Sequence, residues 1–127
     1  MSAASEHLFD KVGAEALLPR LTVLIRSLQA AAASDAAVEG VERMAEAGRS
    51  NGSAAAAASV FRAAAEIQGA LDQIADLGVI LRDVATGLCD FPAVREGRPV
   101  YLCWRLGEEE VGWWHPRDEG VAGRRPL

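Results

Sequence analysis

The 127-residue chain is half hydrophobic and about a quarter charged, with a formal net charge of −5. That length suits one domain with one modest core, and the composition excludes intrinsic disorder. The acidic balance excludes a general nucleic-acid or anionic-membrane binder, which needs a basic face, and no apolar run approaches the roughly 20 residues of a membrane span.

The N-terminal stretch MSAASEHLFDK meets Glu6 and Asp10 before any apolar run. No secretory signal is therefore expected, the cytoplasm is the expected location, and the two cysteines, Cys89 and Cys103, are expected to be reduced thiols. Composition changes near Gly78. Before it the chain is alanine-rich and acidic; after it come all three tryptophans, both cysteines and all but one of the prolines. This marks a change of secondary structure within one domain.

Apolar residues at 17, 21, 24 and 28, and again at 60, 64, 67, 71 and 74, alternate spacings of 3 and 4. That is the stripe of a helix packing along a neighbour. Pro19 is expected to start or kink the first helix, because it lacks an amide hydrogen and clashes one turn back. RSNGS (49–53) is turn chemistry, with Ser50 or Ser53 as the N-cap of the second helix. The reading is an antiparallel hairpin of helices over 14–47 and 53–77. Alanine patches at 30–33 and 54–58 meet near its tip, where they allow close approach within the hairpin or with a second copy.

The second half predicts antiparallel strands. VATGL (84–88) and VREGR (94–98) each place glycine third in a three-residue hairpin loop. Pairing 84 with 88 sets Arg82 opposite Asp90, and pairing 94 with 98 sets Cys89 opposite Cys103. A fourth strand, VGWWH (111–115), pairs 106 with 111 and brings Trp104 beside Trp113. Alternation then assigns Ile80, Val84, Leu88, Val100, Leu102, Trp104, Leu106 and Trp113 to the helix-covered face, with Arg82, Asp90 and His115 at its border. The opposite face carries Leu81, Asp83, Cys89, Phe91, Tyr101, Cys103, Arg105 and Trp114. It is too apolar to stand in water and needs cover from the C-terminal tail, a second subunit or a ligand.

The run DVATGLCDFPAVREGRPVYLCWRLGEEEVGWWHPRDEGVAGRRPL shows Asp83-x-x-x-Gly87-Leu88-x-Asp90-Phe91-Pro92. Gly97-x-x-Val100-x-Leu102-Cys103-Trp104-Arg105-Leu106-Gly107-Glu108 follows, then Trp114-His115, then Gly123-Arg124-x-Pro126-Leu127. Over about the last 45 residues it resembles the bacterial family catalogued as domain of unknown function 2203. The helical half is similar in type alone. The resemblance implies no activity and no ligand site.

Candidate chemistry is sparse. His115, Asp118 and Glu119 fall within five residues, and with Asp83 they make a candidate metal set for a small metal-dependent hydrolase. Asp90, Cys89 and Cys103 are candidates for the same neighbourhood. The spacing matches neither Cys-x-x-Cys pairs nor His-Glu-x-x-His. His115 before Pro116 equally suits a strand-end histidine in a hydrogen-bond network. The cysteines have no activating neighbour in sequence and read as small buried apolar residues, and no glycine-rich phosphate loop precedes a helix. GEEE (107–110) reads as a solvated hairpin tip. Arginine with aromatic company remains: Arg105, Trp114, Arg124 and Arg125 form a candidate site for an anion or partner, since guanidinium binds carboxylate or phosphate in bidentate fashion and stacks on indole. The alternative is that Arg124 and Arg125 close the tail (GVAGRRPL, 120–127) through internal ion pairs, with Leu127 covering apolar surface.

The sequence thus predicts an α+β fold: a helical hairpin on one face of a three- to four-stranded antiparallel meander. The chain divides into an N-terminal arm (1–13), the hairpin (14–77), the meander (78–116) and a docked tail (117–127). The expected function is a non-enzymatic binding or interaction module acting as a homodimer, with a protein partner possible. No catalytic residue, cofactor, nucleic acid or membrane is expected.

Overall fold

Asp10 begins the first helix. Its side chain accepts a hydrogen bond from Gly13 N at 2.7 Å, satisfying one of the amides that a helix start leaves free. In the computed structural model, which describes residues 6–33 and 53–127, α1 spans Lys11–Ala16, α2 Leu18–Ala32 and α3 Ser53–Asp76. The strands are β1 (Ile80–Asp83), β2 (Leu88–Arg95), β3 (Arg98–Arg105), β4 (Trp113–Pro116) and β5 (Arg125–Pro126), with a 3-10 turn at Val121–Gly123. The helical layer therefore starts at Lys11 and not at 14. Pro19 sits in the first turn of α2, where its missing N–H removes no helical bond. The expected extension of the first helix to 47 and the turn over 49–52 lie outside the described residues.

α2 buries Leu18, Leu21, Leu24, Ile25, Leu28 and Ala31, each large side chain contributing about 1.5–3 kcal/mol. On α3 the buried residues are Ala63, Ala70 and Ile74, with Ile67 and Leu71 half-buried. Ala64, expected in the stripe, is exposed, and Ala63 takes its place. Arg20 Nη2 donates to Gln73 Oε1 at 2.6 Å, linking the start of α2 to the end of α3 and so making the pair antiparallel. Gln29 Nε2 donates to the carbonyls of Val84 (2.9 Å) and Ala85 (3.1 Å), tying the far end of α2 to the β1–β2 turn. No helix among the described residues is long and apolar enough to cross a membrane.

The sheet is an antiparallel meander in the order β1-β2-β3-β4-β5. It has five strands and not three to four, because the tail returns as β5 with Trp113 opposite Pro126 and Trp114 opposite Arg125. Both hairpin loops differ from expectation. Between β2 and β3, Arg95 pairs with Arg98 around a two-residue turn in which Glu96 (φ 51°) and Gly97 (φ 77°) both have positive φ. Such a turn matches the right-handed twist of the strands it joins. Between β1 and β2, Asp83 lies opposite Leu88 around four residues, and the register shifts between Leu81 and Asp83.

These turns correct the register. Cys89 faces Trp104, and Asp90 faces Cys103. Cys103 in turn faces Trp113, so Trp104 is not beside that residue. Ile80, not Arg82, lies opposite Asp90, yet the irregularity at Arg82 lets Nε reach Asp90 Oδ2 at 2.9 Å. A one-residue slip exchanges faces. Cys89, Phe91 and Trp114 therefore join Val100, Leu102 and Trp104 in the core against the helices, while Asp90, Trp113 and His115 turn to the other side. The β3 assignments of Val100, Leu102, Trp104, Tyr101 and Cys103 stand. The N-terminal arm is docked as well: Phe9 N donates to Pro92 O at 2.7 Å, and its ring meets Phe91 edge-on at 5.3 Å.

Gly87 and Gly97 separate two roles of glycine. Both have positive φ, but a Cβ on Gly87 would lie 2.5 Å from Leu106 Cβ and 3.3 Å from Ile25 Cγ2, while one on Gly97 meets nothing within 4 Å. Gly97→Ala is expected to cost about 1–2 kcal/mol for the left-handed backbone alone. Gly87→Ala is expected to cost about 2–4 kcal/mol, overpacking being added. Urea unfolding measures both; equal losses would contradict the close β1–β2 turn to β3 contact.

Candidate functional site

On the face away from the helices, three neighbouring strands bring together the only buried charged or polar side chains among the described residues other than cysteine. Asp90 (β2) is 2% exposed and His115 (β4) 3%. Cys103 (β3), fully buried, stands directly opposite Asp90, and His115 lies opposite Tyr101, two residues along. The ligand-type atoms of Asp90, Cys103 and His115 all lie within 4.8 Å of one another.

The hydrogen bonds constrain the protons. His115 Nδ1 lies 2.8 Å from Pro116 O, and a carbonyl accepts only, so Nδ1 carries the hydrogen. Nε2 lies 3.0 Å from Asp90 Oδ1, which as a carboxylate oxygen also accepts only. A hydrogen on Nε2 is donated to that oxygen, closing a buried hydrogen bond between His115 and Asp90. Asp90 Oδ2 accepts from Arg82 Nε at 2.9 Å. A buried carboxylate loses hydration worth several kcal/mol, and two charge-assisted bonds at about 1.5–3 kcal/mol each offset this loss. The bond to Asp90 in turn raises Arg82 above the usual arginine range.

This floor opens into a pocket of about 460 Å³ walled by Arg82, Leu88, Arg117 and the segment Asp118–Val121. The Arg82 and Arg117 guanidiniums lie 5.1 and 4.6 Å from the centre of the Tyr101 ring. Arg117 Nε donates to Val100 O at 3.2 Å. Its Nη2 is 2.6 Å from Glu6 Oε1, an ion pair that lacks hydrogen-bond alignment.

The expected anion set is not brought together around one ligand. Arg124 pairs with Glu108 at 2.8 Å and lies 4.9 Å from the Trp113 ring. Arg125 pairs with Glu119 at 3.3 Å and lies, like Arg95, against Trp114. Arg105 is exposed on the opposite face from Trp114, its amide bonded to Glu108 Oε1 at 2.7 Å. Of the two readings of the tail, internal ion pairs describe Arg124 and Arg125. Leu127 N donates to Gly112 O at 2.9 Å, holding the last residue down. GEEE is more than a solvated tip: Glu108 O also accepts from Trp104 Nε1 at 2.8 Å, and Glu110 pairs with Lys11 at 2.8 Å.

Of the expected metal set, His115, Asp118 and Glu119 share the pocket. Asp83 stands apart, its Oδ2 accepting from Thr86 N at 3.0 Å and from Thr86 Oγ1 in the β1–β2 turn; these bonds hold its carboxyl below the usual range. Asp90 and Cys103 occupy the place beside His115. Sequence reasoning missed Arg82 and Arg117 as pocket residues, and Tyr101 as the ring that both guanidiniums lie against. The parity of Asp90, Cys103 and His115 across three strands was the available signal, legible only with both turns correctly sized. Both cysteines are free and buried. Burial above all pushes the Cys89 thiol up to about 12, and burial together with Asp90 pushes Cys103 to about 11. At neutral pH, without a metal, both are protonated and poor nucleophiles.

Asp90→Ala leaves His115 and Arg82 without their shared partner, and is expected to cost about 3–5 kcal/mol in urea unfolding. Arg82→Ala should cost less, about 1–2 kcal/mol, because the Arg82 side chain is 44% exposed and water can replace it. A loss below that of Arg82→Ala for Asp90→Ala would contradict the hub role of the carboxylate.

No curated protein and no solved structure matches the chain. Residues 7–127 match the family described as uncharacterized conserved protein (DUF2203), and the chain belongs to that family.

Proposed function

We propose that this protein is a small binding module whose pocket takes a compact oxyanion, a carboxylate or phosphate, between Arg82 and Arg117. The observation that carries this reading is the pair of guanidiniums that lie against Tyr101 and line a pocket of about 460 Å³. Each arginine commits its Nε to the protein, to Asp90 and to Val100 O respectively. A guanidinium has five N–H donors; Arg117 Nη2 also faces Glu6, so its Nη1 and both terminal nitrogens of Arg82 remain for a ligand. Asp118 and Glu119, which also line the pocket, disfavour large polyanions and favour a small ligand held by the arginines.

Thermal unfolding tests the reading. Saturating malonate or phosphate is expected to raise the melting temperature by several degrees, since a ligand bound at about 100 times its dissociation constant adds about 2.7 kcal/mol. Arg117→Ala should abolish the shift, while Arg105→Ala should leave it intact. A shift retained in Arg117→Ala, or no shift with any anion, contradicts the proposal.

Self-association belongs to the same reading, through a different surface from the one expected. The second sheet face is covered by the chain's own tail and arginines, whereas Val12, Val23 and Phe61 on the helices are 77%, 68% and 71% exposed. A second copy packed on the helical layer would cover these side chains, and a two-fold dimer is the commonest such arrangement. Light scattering at high micromolar concentration is expected to give a dimer that Phe61→Asp weakens; a monomer throughout contradicts it.

A further inference from the structure

We propose that Asp90, Cys103 and His115 form the binding site of one divalent transition-metal ion of the zinc type, with a fourth, exchangeable position open to the pocket. The inference goes beyond the anion reading and does not depend on it.

The geometry begins with the histidine. The Nδ1–H bond to Pro116 O directs the Nε2 lone pair of the neutral ring toward Asp90 Oδ1, 3.0 Å away. Two ligand atoms at that separation can share a metal ion in place of a hydrogen. A carbonyl holding the remote ring nitrogen is the usual outer support of a metal-bound histidine, because it sets the tautomer and the ring orientation. Cys103 Sγ completes a triangle with all ligand atoms within 4.8 Å, so modest inward movement closes it around a single ion. Coordination displaces to solvent the thiol proton and the hydrogen on Nε2.

The surroundings match. Asp90 Oδ2 is held by Arg82 Nε at 2.9 Å, orienting the carboxylate and leaving Oδ1 for the metal. Arg124 lies beside Cys103 and favours its thiolate, and the buried Arg124 Nε has no hydrogen-bond partner. A thiolate ligand is an acceptor for that donor. One nitrogen, one oxygen and one sulfur select zinc or cobalt over magnesium or calcium, which prefer oxygen alone. Asp90 and His115 line the pocket, so the fourth position is reachable by water, by Asp118 or Glu119, or by an incoming ligand. Three protein ligands with one open position is the pattern of a reactive zinc site and not of a closed structural one.

Cobalt(II) substitution tests the site. Protein stripped with chelator and titrated with Co²⁺ is expected to bind one equivalent and to develop a near-ultraviolet thiolate-to-cobalt band with visible bands of tetrahedral intensity. Zn²⁺ should displace the cobalt and bleach them. Cys89→Ser should retain the spectrum, while Cys103→Ser should lose the near-ultraviolet band and bind Co²⁺ at least tenfold more weakly. Arg117→Ala, which removes anion binding, should leave the spectrum unchanged, so the two readings fail separately. Absence of a thiolate band in the wild-type protein at millimolar Co²⁺ overturns the proposal without reference to any variant. A spectrum unaltered in Cys103→Ser that folds normally by circular dichroism overturns it too, since the metal would then lie elsewhere.

Discussion

With Arg95 opposite Arg98, two residues of positive φ close the β2–β3 hairpin, and the register of the two longest strands follows. Side chains alternate across a sheet, so this one turn decides which eight-residue partners face the helices. It places Cys89, Phe91 and Ala93 with Trp104, Leu102 and Val100 in the core. The same parity puts Asp90 and Cys103 on the reverse side, where β4 adds His115. Core and site are two consequences of a single register, and a slip of one residue would bury Asp90 against α2 and α3 while exposing Phe91.

The reverse face is stabilised in a different manner from the helical one. It carries a polar floor and aromatic rings covered by guanidiniums. Tyr101 holds Arg82 and Arg117, Trp113 holds Arg124, and each contact contributes about 0.5–2 kcal/mol according to its burial. At the edge of the sheet Trp114 holds Arg95 and Arg125 in the same way. Acidic residues from loops and the N-terminal arm then neutralise these cations: Glu108 for Arg124, Glu119 for Arg125, Glu6 for Arg117. A chain with a net charge of −5 thereby concentrates arginine on one side while remaining acidic overall.

This arrangement also gives the tail its purpose. β5 is only two residues long, too short to be held by ladder bonds alone. Arg124, just before β5, and Arg125, within it, are successive residues and so reach opposite faces of the sheet, Arg124 toward Trp113 and Arg125 toward Trp114. The tail closes the edge of the meander and, through the Asp118–Val121 segment that precedes it, one wall of the pocket.

Much of this was legible in the residues. The leucines at 17, 21, 24 and 28, the helix start at Pro19, the meander of strands and the inward return of the tail all follow from local periodicity and turn chemistry, which act over a few residues and need no partner. Arg82 and Asp90 were correctly joined, though the opposing residue is Ile80, because a long side chain tolerates an offset that a backbone pair does not. What periodicity could not supply was the size of each turn. Glu96 adopts a left-handed conformation that costs a non-glycine residue about 1–2 kcal/mol, and only the packing of Phe91, Leu102 and Trp104 against α2 and α3 repays it. The residues by themselves determined the helices, the four main strands and their order, but not α1 as a separate helix or β5 as a strand. The tertiary structure alone decided the register, and with it the meeting of Asp90, Cys103 and His115, because burying one face of a sheet against helices is a long-range energy that no local stretch of chain contains.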